Sequence, residues 1–129
     1  MPLNNISKIK GKYFPPGDKS ISHRILILAG QTVGKSEISN LLEGEDVINT
    51  LKCLKKLGVK IKLVKNKCVI YGVGINGYKY KKNILLDVGN SGTLGRLIIG
   101  LLVHSKNKIK IIGDKSLSKR DFSRVIKPL

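Results

Sequence analysis

The sequence predicts an α/β fold built from repeated β-α-β-α-β-β units, one complete over residues 6–72 and a second begun over residues 84–129. Three observations point there. Short stretches of alternating apolar and polar residues are interleaved with longer ones whose apolar residues recur at i, i+3 and i+4. Glycine or proline stands at the switches between them. After a Gly-, Tyr- and Lys-rich stretch without a period, residues 72–83, the same order starts again.

Residues 6–13 alternate imperfectly around Ile6, Ile9 and Tyr13 and predict a short strand, stopped by Pro15-Pro16-Gly17. A buried helix is expected over 20–29, with Ile21, Ile25, Leu26, Leu28 and Ala29 apolar and Gly30 and Gly34 flanking its exit. A short strand follows at 36–41. Gly44-Glu45-Asp46 opens a second helix over 46–57, in which Val47, Ile48, Leu51, Leu54 and Leu57 share one face and Gly58 supplies the C-cap. Strands at 59–64 and 68–71 flank Lys65-Asn66-Lys67 and predict a hairpin. In the second unit, a strand at 84–88 leads through Gly89-Asn90-Ser91-Gly92-Thr93 into a helix that runs to Val103. A strand at 108–112, a loop at 113–119 and a helix start at Asp121 complete the chain. The last β-β pair of the second unit is missing. Such a unit cannot bury its apolar face alone, so residues 1–129 read as the N-terminal fragment of a larger protein, poorly stable and inactive by itself.

Composition narrows the function classes. The chain has 129 residues with 25 Lys+Arg against 8 Asp+Glu, a net charge of +17. That charge raises nucleic acid as a partner. Only Arg24, Arg96, Arg120 and Arg124 are arginines, however, and the lysines are spread along the whole chain. Base reading and bidentate phosphate clamping favour Arg. The six Phe and Tyr residues share no spacing that would make a stacking platform. A small Lys-rich nucleic-acid-binding module therefore stays a minor alternative. No apolar run approaches the roughly 20 residues of a membrane helix, and the N-terminus lacks a signal-type apolar region. Cys53 and Cys68 are too few for a disulfide framework or a four-ligand zinc site, and packing positions are expected for both. The expected setting is the cytoplasm.

The chemistry concentrates in the turns that open helices. Gly17-Asp18-Lys19-Ser20-Ile21-Ser22-His23-Arg24 delivers the chain to a helix N-terminus, where free N–H groups and the dipole favour an anion. Lys19 adds charge, Ser20 a hydroxyl, and Arg24 lies one turn after Ser20 on the same face. The bland alternative makes Ser20 a plain N-cap with Lys19 and Arg24 in solvent. No Walker-type or dinucleotide-type glycine pattern is present. His23 and His104 are expected to be structural or solvent-facing. Gly89-Asn90-Ser91-Gly92-Thr93 repeats the same logic with Arg96 nearby, capped in the bland alternative by Ser91 or Thr93. Lys119-Arg120 marks a third loop-to-helix junction.

These stretches, with Leu42-Glu43-Gly44-Glu45-Asp46-Val47 and Gly113-Asp114-Lys115-Ser116-Leu117-Ser118-Lys119-Arg120, occur in an order that resembles the N-terminal part of the 5-enolpyruvylshikimate-3-phosphate synthase family, in its second sequence class. The resemblance spans residues 6–129. It implies the enolpyruvyl transferase fold, an inside-out α/β barrel of repeated units, working as a monomer when full length. It implies transfer of the enolpyruvyl group of phosphoenolpyruvate to the 5-hydroxyl of shikimate 3-phosphate, releasing phosphate, with no metal or organic cofactor. By the same resemblance Lys19 is the catalytic residue and contacts both substrates. Ser20 and Arg24 hold shikimate 3-phosphate, and Asn90, Gly92 and Arg120 line the phosphoenolpyruvate pocket. The family's acid–base Asp and Glu lie downstream, and Glu45 and Asp46 read as structural acids at a helix start. Phe122 after Asp121 departs from the family's usual Pro-Met or Pro-Ile, a change expected to loosen the last helix without touching the site. The nearest alternative, UDP-N-acetylglucosamine enolpyruvyl transferase, needs a cysteine that residues 115–120 do not contain.

Overall fold

A computed structural model describes residues 10–64 and 67–129. The elements run α1 (Lys19–Gln31), β1 (Val33–Ser39), α2 (Glu45–Lys56), β2 (Lys60–Val64), β3 (Lys67–Val73), β4 (Ile84–Asp87), α3 (Gly92–Leu102), β5 (Ile109–Ile112), a 3-10 turn (Leu117–Lys119) and α4 (Ser123–Ile126). From α1 onward this is the order predicted. Of the strand expected at 6–13, residues 6–9 lie outside the described residues, and 10–13 form no strand. Their alternation is imperfect, and a strand without a partner edge leaves its backbone groups to water.

β3 is the middle of a three-stranded antiparallel sheet, with β1 on one edge and β2 on the other. Cys68 of β3 stands opposite both Ile38 and Leu63, and Ile70 opposite both Ser36 and Ile61. β1 starts three residues earlier than expected because Val33-Gly34-Lys35 find partners in Val73, Gly72 and Tyr71. Ladder pairing thus overrides a weak local pattern. Gly72 is required here, since a Cβ would lie 2.3 Å from the Thr32 carbonyl oxygen and 2.4 Å from that of Ala29. β4 and β5 form a parallel pair across α3.

α2 ends as its glycine predicts. Gly58 has φ +90, its N–H reaches the Lys55 carbonyl and the Val59 N–H that of Leu54, both at 3.0 Å. This is the paired closure of a Schellman motif.

α1 and α2 lie between the two sheets and feed two cores. Leu26 and Ala29, with Val47, Leu51 and Leu54, pack on Ile38, Ile61, Cys68 and Ile70. Ile27, with Cys53 and Leu57, packs on Leu86, Val88, Leu94, Ile98 and Leu117. α1 is not the buried helix that its apolar sequence predicts, because packing covers only one of its faces. Ile21, Ile25 and Leu28 form a stripe at i, i+4 and i+7 that faces solvent, at 66%, 38% and 57% exposure. No helix among the described residues is long and apolar enough to cross a membrane.

Candidate active site

α1 begins where it does because Asp18 caps it. Asp18 is extended (φ −75, ψ 137), and its Oδ1 accepts the Ile21 N–H at 2.7 Å. Asp18, not Ser20, is therefore the N-cap, and Ser20 stands exposed in the first turn. Arg24 Nη1 donates to the Ser20 carbonyl at 3.0 Å, which folds its side chain back along the helix toward that end. The Lys19 ammonium pairs with the Asp46 carboxylate. Glu45 and Asp46 occupy the first turn of α2, where acids suit the dipole. Asp46 has a further task that the motif did not reveal, holding Lys19.

The second cradle forms at the start of α3. Ser91 is its N-cap, accepting the Leu94 N–H at 3.2 Å, and Gly92 is its first residue. Asn90 is clamped on both sides. Its Nδ2 donates to Asp114 Oδ2 at 2.5 Å, and its Oδ1 accepts from Arg120 Nη2 at 3.1 Å. Asp114 also accepts the Leu117 N–H at 2.7 Å. That backbone bond first, then the Asn90 amide, holds the Asp114 carboxyl below its ordinary range. Asp114 thus stays charged and orients Asn90, which in turn orients Arg120. A Cβ on Gly92 would lie 2.9 Å from Arg96 Nη1 and 3.2 Å from Arg120 Nη1. Two guanidinium groups therefore flank a helix start that carries no side chain, where first-turn N–H groups lack intrahelical partners. Such a place suits a phosphate or carboxylate.

Phe122 does touch this site, contrary to the sequence expectation. Its ring lies under the Arg96 guanidinium at 5.2 Å and approaches Gly95, where a Cβ would meet it at 3.1 Å. The absent side chain of Gly95 makes room for the ring, and the ring face attracts the cation. The α4 start is shaped by Asp121 instead, whose Oδ1 accepts the Ser123 N–H at 2.7 Å.

His23 takes the structural of the two places expected for it. It is fully buried. Its Nδ1 is 2.7 Å from Thr50 Oγ1 of α2, and its Nε2 is 3.4 Å from Ser91 Oγ. Burial lowers its pKa, outweighing the opposite pull of Asp46. His104 is exposed and Lys119 ends the 3-10 turn, exposed. Both cysteines are buried, as expected of packing residues. Burial pushes the Cys53 thiol up to about 11, far from a reactive thiolate.

The predicted residues therefore fall into two sets, Lys19-Ser20-Arg24 at α1 and Asn90-Gly92-Arg96-Arg120 at α3. A groove of about 470 Å³ between the two helices is lined by Arg24 and Arg96 together with Ile27, Leu28 and Leu97. Sequence reasoning missed Asp46, Asp114 and Phe122 as partners of these side chains. Only the Gly113-Asp114 and Glu45-Asp46 motifs hinted at the acids.

Comparison with known proteins gives the family and the fold. The family model for EPSP synthase (3-phosphoshikimate 1-carboxyvinyltransferase) matches residues 3–129. A 3-phosphoshikimate 1-carboxyvinyltransferase of Desulforamulus reducens is 46% identical over 128 residues, covering 98% of this chain and 30% of that protein. One of Ruthia magnifica is 49% identical over 128 residues, covering 99% of this chain and 28% of that protein. The solved EPSP synthase from Acinetobacter baumannii superposes with a TM-score of 0.86 at 42% identity, covering 92% of this chain and 27% of that one. The chain thus spans under a third of the length of these relatives. Its mixed α/β architecture is that of the enolpyruvyl transferase fold, and the chain belongs to the EPSP synthase family.

Proposed function

We propose that this chain supplies part of the active site of a 3-phosphoshikimate 1-carboxyvinyltransferase, which moves the enolpyruvyl group of phosphoenolpyruvate onto the 5-hydroxyl of shikimate 3-phosphate and releases phosphate. The observation that supports the reading is the pair of cationic helix starts, Lys19-Ser20-Arg24 and Asn90-Gly92-Arg96-Arg120, of which Arg24 and Arg96 line one groove between α1 and α3. Two anionic substrates that must meet call for two such cradles.

In this reading Ser20 and Arg24 hold shikimate 3-phosphate. Asn90, Gly92 and Arg120 hold phosphoenolpyruvate, with the phosphate seated over the Gly92 backbone. Lys19 touches both substrates, exchanging Asp46 for their negative charge in a site that closes out water. Residues 19–64 and 67–73 belong to one unit of the repeated fold, and residues 84–129 begin the next. The protein works as a monomer in the cytoplasm.

The test joins residues 1–129 to the remaining length of the Desulforamulus reducens relative. Phosphate release is then measured with phosphoenolpyruvate and shikimate 3-phosphate, with UDP-N-acetylglucosamine as the alternative acceptor. Release that requires shikimate 3-phosphate supports the reading. Release with the nucleotide sugar, or none with either acceptor, overturns it.

A further inference from the structure

The buried imidazole of His23 lies where the two cradles meet. It sits on α1, one residue before Arg24, and touches α2 through Thr50 and the start of α3 through Ser91. The hydroxyls around it accept only one consistent proton order. Thr50 Oγ1 donates to the Asp46 carbonyl at 3.3 Å, so its lone pair receives the proton on His23 Nδ1. Nε2 is then bare and accepts the Ser91 hydroxyl proton, while Ser91 Oγ accepts the Leu94 N–H. In this order every donor in the line has an acceptor. In the reverse order, Nε2–H and the Leu94 N–H both point at Ser91 Oγ, and the Ser91 proton is left with no partner in a buried place.

We propose that His23 is a positioning residue that fixes the N-cap of α3 through Ser91, and thereby sets where the Gly92 cradle stands relative to Lys19 and Arg24. This rests on the enolpyruvyl transfer reading for its kinetic consequence, but not for its geometry. Ser91 lies between Asn90 and Gly92, so a loosened cap displaces both residues that face the substrate anion. On the other side, Thr50 is tied to the Asp46 carbonyl, and the Asp46 carboxylate holds Lys19. One neutral ring therefore connects the backbone of both cradles. The charged groups that act on it are Asp46 on α2 and Lys19 and Arg24 on α1; from α3 it meets the uncharged Ser91. Burial keeps it neutral, which is the form the Ser91 bond requires.

Two measurements test this. The first uses the 129-residue chain with labelled imidazole nitrogen. Long-range proton–nitrogen NMR at pH 7 is expected to find the proton on Nδ1 and a bare Nε2. A ring protonated on Nε2 overturns the proposal. In the same chain, Ser91→Ala and His23→Leu are expected to shift the Gly92 and Thr93 amide signals, while His23→Gln, which places an amide near the position of Nε2, leaves them close to the parent. Unmoved signals in all three variants overturn the proposal whatever reaction the protein catalyses.

The second measurement uses the joined chain described above. His23→Leu and Ser91→Ala are each expected to raise the KM for phosphoenolpyruvate about tenfold, the loss of one buried hydrogen bond, with the KM for shikimate 3-phosphate little changed. His23→Gln recovers most of that rise, and Ser91→Ala added to His23→Leu raises it little further. A fall in kcat alone, equal for Leu and Gln, marks His23 as plain packing and overturns the proposal. If the parent chain turns over nothing while the amide signals respond as expected, the functional reading fails and the positioning role stands.

Discussion

Arg120 donates from Nη2 to Asn90 Oδ1 at 3.1 Å, across a separation of thirty residues. The same amide is held from behind by Asp114 at 2.5 Å. The acid, amide and guanidinium form a line that ends beside the bare start of α3. The line turns a flexible arginine into an oriented one, so part of the ordering entropy of binding an anion is already lost before the anion arrives.

Arg24 bonds its own helix at the Ser20 carbonyl and lines the groove between α1 and α3. In the joined enzyme, Arg24→Ala is expected to raise the KM for shikimate 3-phosphate between about tenfold and a hundredfold, a charge-assisted hydrogen bond of about 1.5–3 kcal/mol. Lys19→Ala is expected to lower kcat/KM for both substrates by more. Steady-state kinetics with each substrate varied in turn check both. An unchanged KM for shikimate 3-phosphate in the Arg24 variant would refute its assignment.

Gly92→Ala puts a methyl group against the tips of two arginines rather than against backbone. Arginine tips can shift, so the variant is expected to fold. If the site holds phosphoenolpyruvate as proposed, the methyl group narrows it for a longer competing anion such as the inhibitor glyphosate. The parent is expected to be glyphosate-sensitive. The variant's inhibition constant should rise about tenfold to a hundredfold, an overpacking cost of about 1–3 kcal/mol, and more than the KM for phosphoenolpyruvate rises. Titrating the inhibitor against both forms decides it, and a parent that already resists would show that Gly92 does not control the pocket.

His23 makes stability depend on pH in a stated direction. Burial lowers its pKa in the folded chain below the ordinary value of 6.5. Between those two values the unfolded chain holds more protons than the folded one, so stability rises with pH. The contribution is complete above about pH 6.5 and is lost as the pH falls toward the folded-state value. Urea unfolding of the 129-residue chain at pH 7.5 and pH 5.5 should show a lower midpoint at the acid end. His23→Gln should remove that part of the difference. A Gln variant with the parent's full pH dependence would assign the effect elsewhere.

Gly17 presses the α1 entry loop onto the segment after β1. A Cβ there would lie 2.1 Å from the Asn40 carbonyl oxygen and 2.8 Å from the Leu42 nitrogen, both backbone atoms that cannot swing aside. Gly17→Ala is expected to destabilise the chain by about 1–3 kcal/mol, read as a lower urea midpoint. An unchanged midpoint would mean that the loop has an alternative path.

The sequence by itself determined the element order from α1 onward, the cap at Gly58, the packing role of both cysteines and the two helix starts that carry the cationic residues. Each of these is local: a period, a turn residue or a cap acts within a few positions, and the chain displays it directly. Tertiary structure decided the rest. β1 begins at Val33 because β3 offers partners there, and residues 10–13 find no strand partner among the described residues. The buried face of α1 was not legible, since its apolar residues cover two opposite stripes and only packing selects one. The same reason hid His23, Asp46, Asp114 and Phe122. A buried imidazole, an acid paired with a distant lysine and a ring beneath a guanidinium are defined by what lies opposite them in space. Sequence spacing carries no record of that across the thirty residues from Asn90 to Arg120, or the sixty-eight from His23 to Ser91.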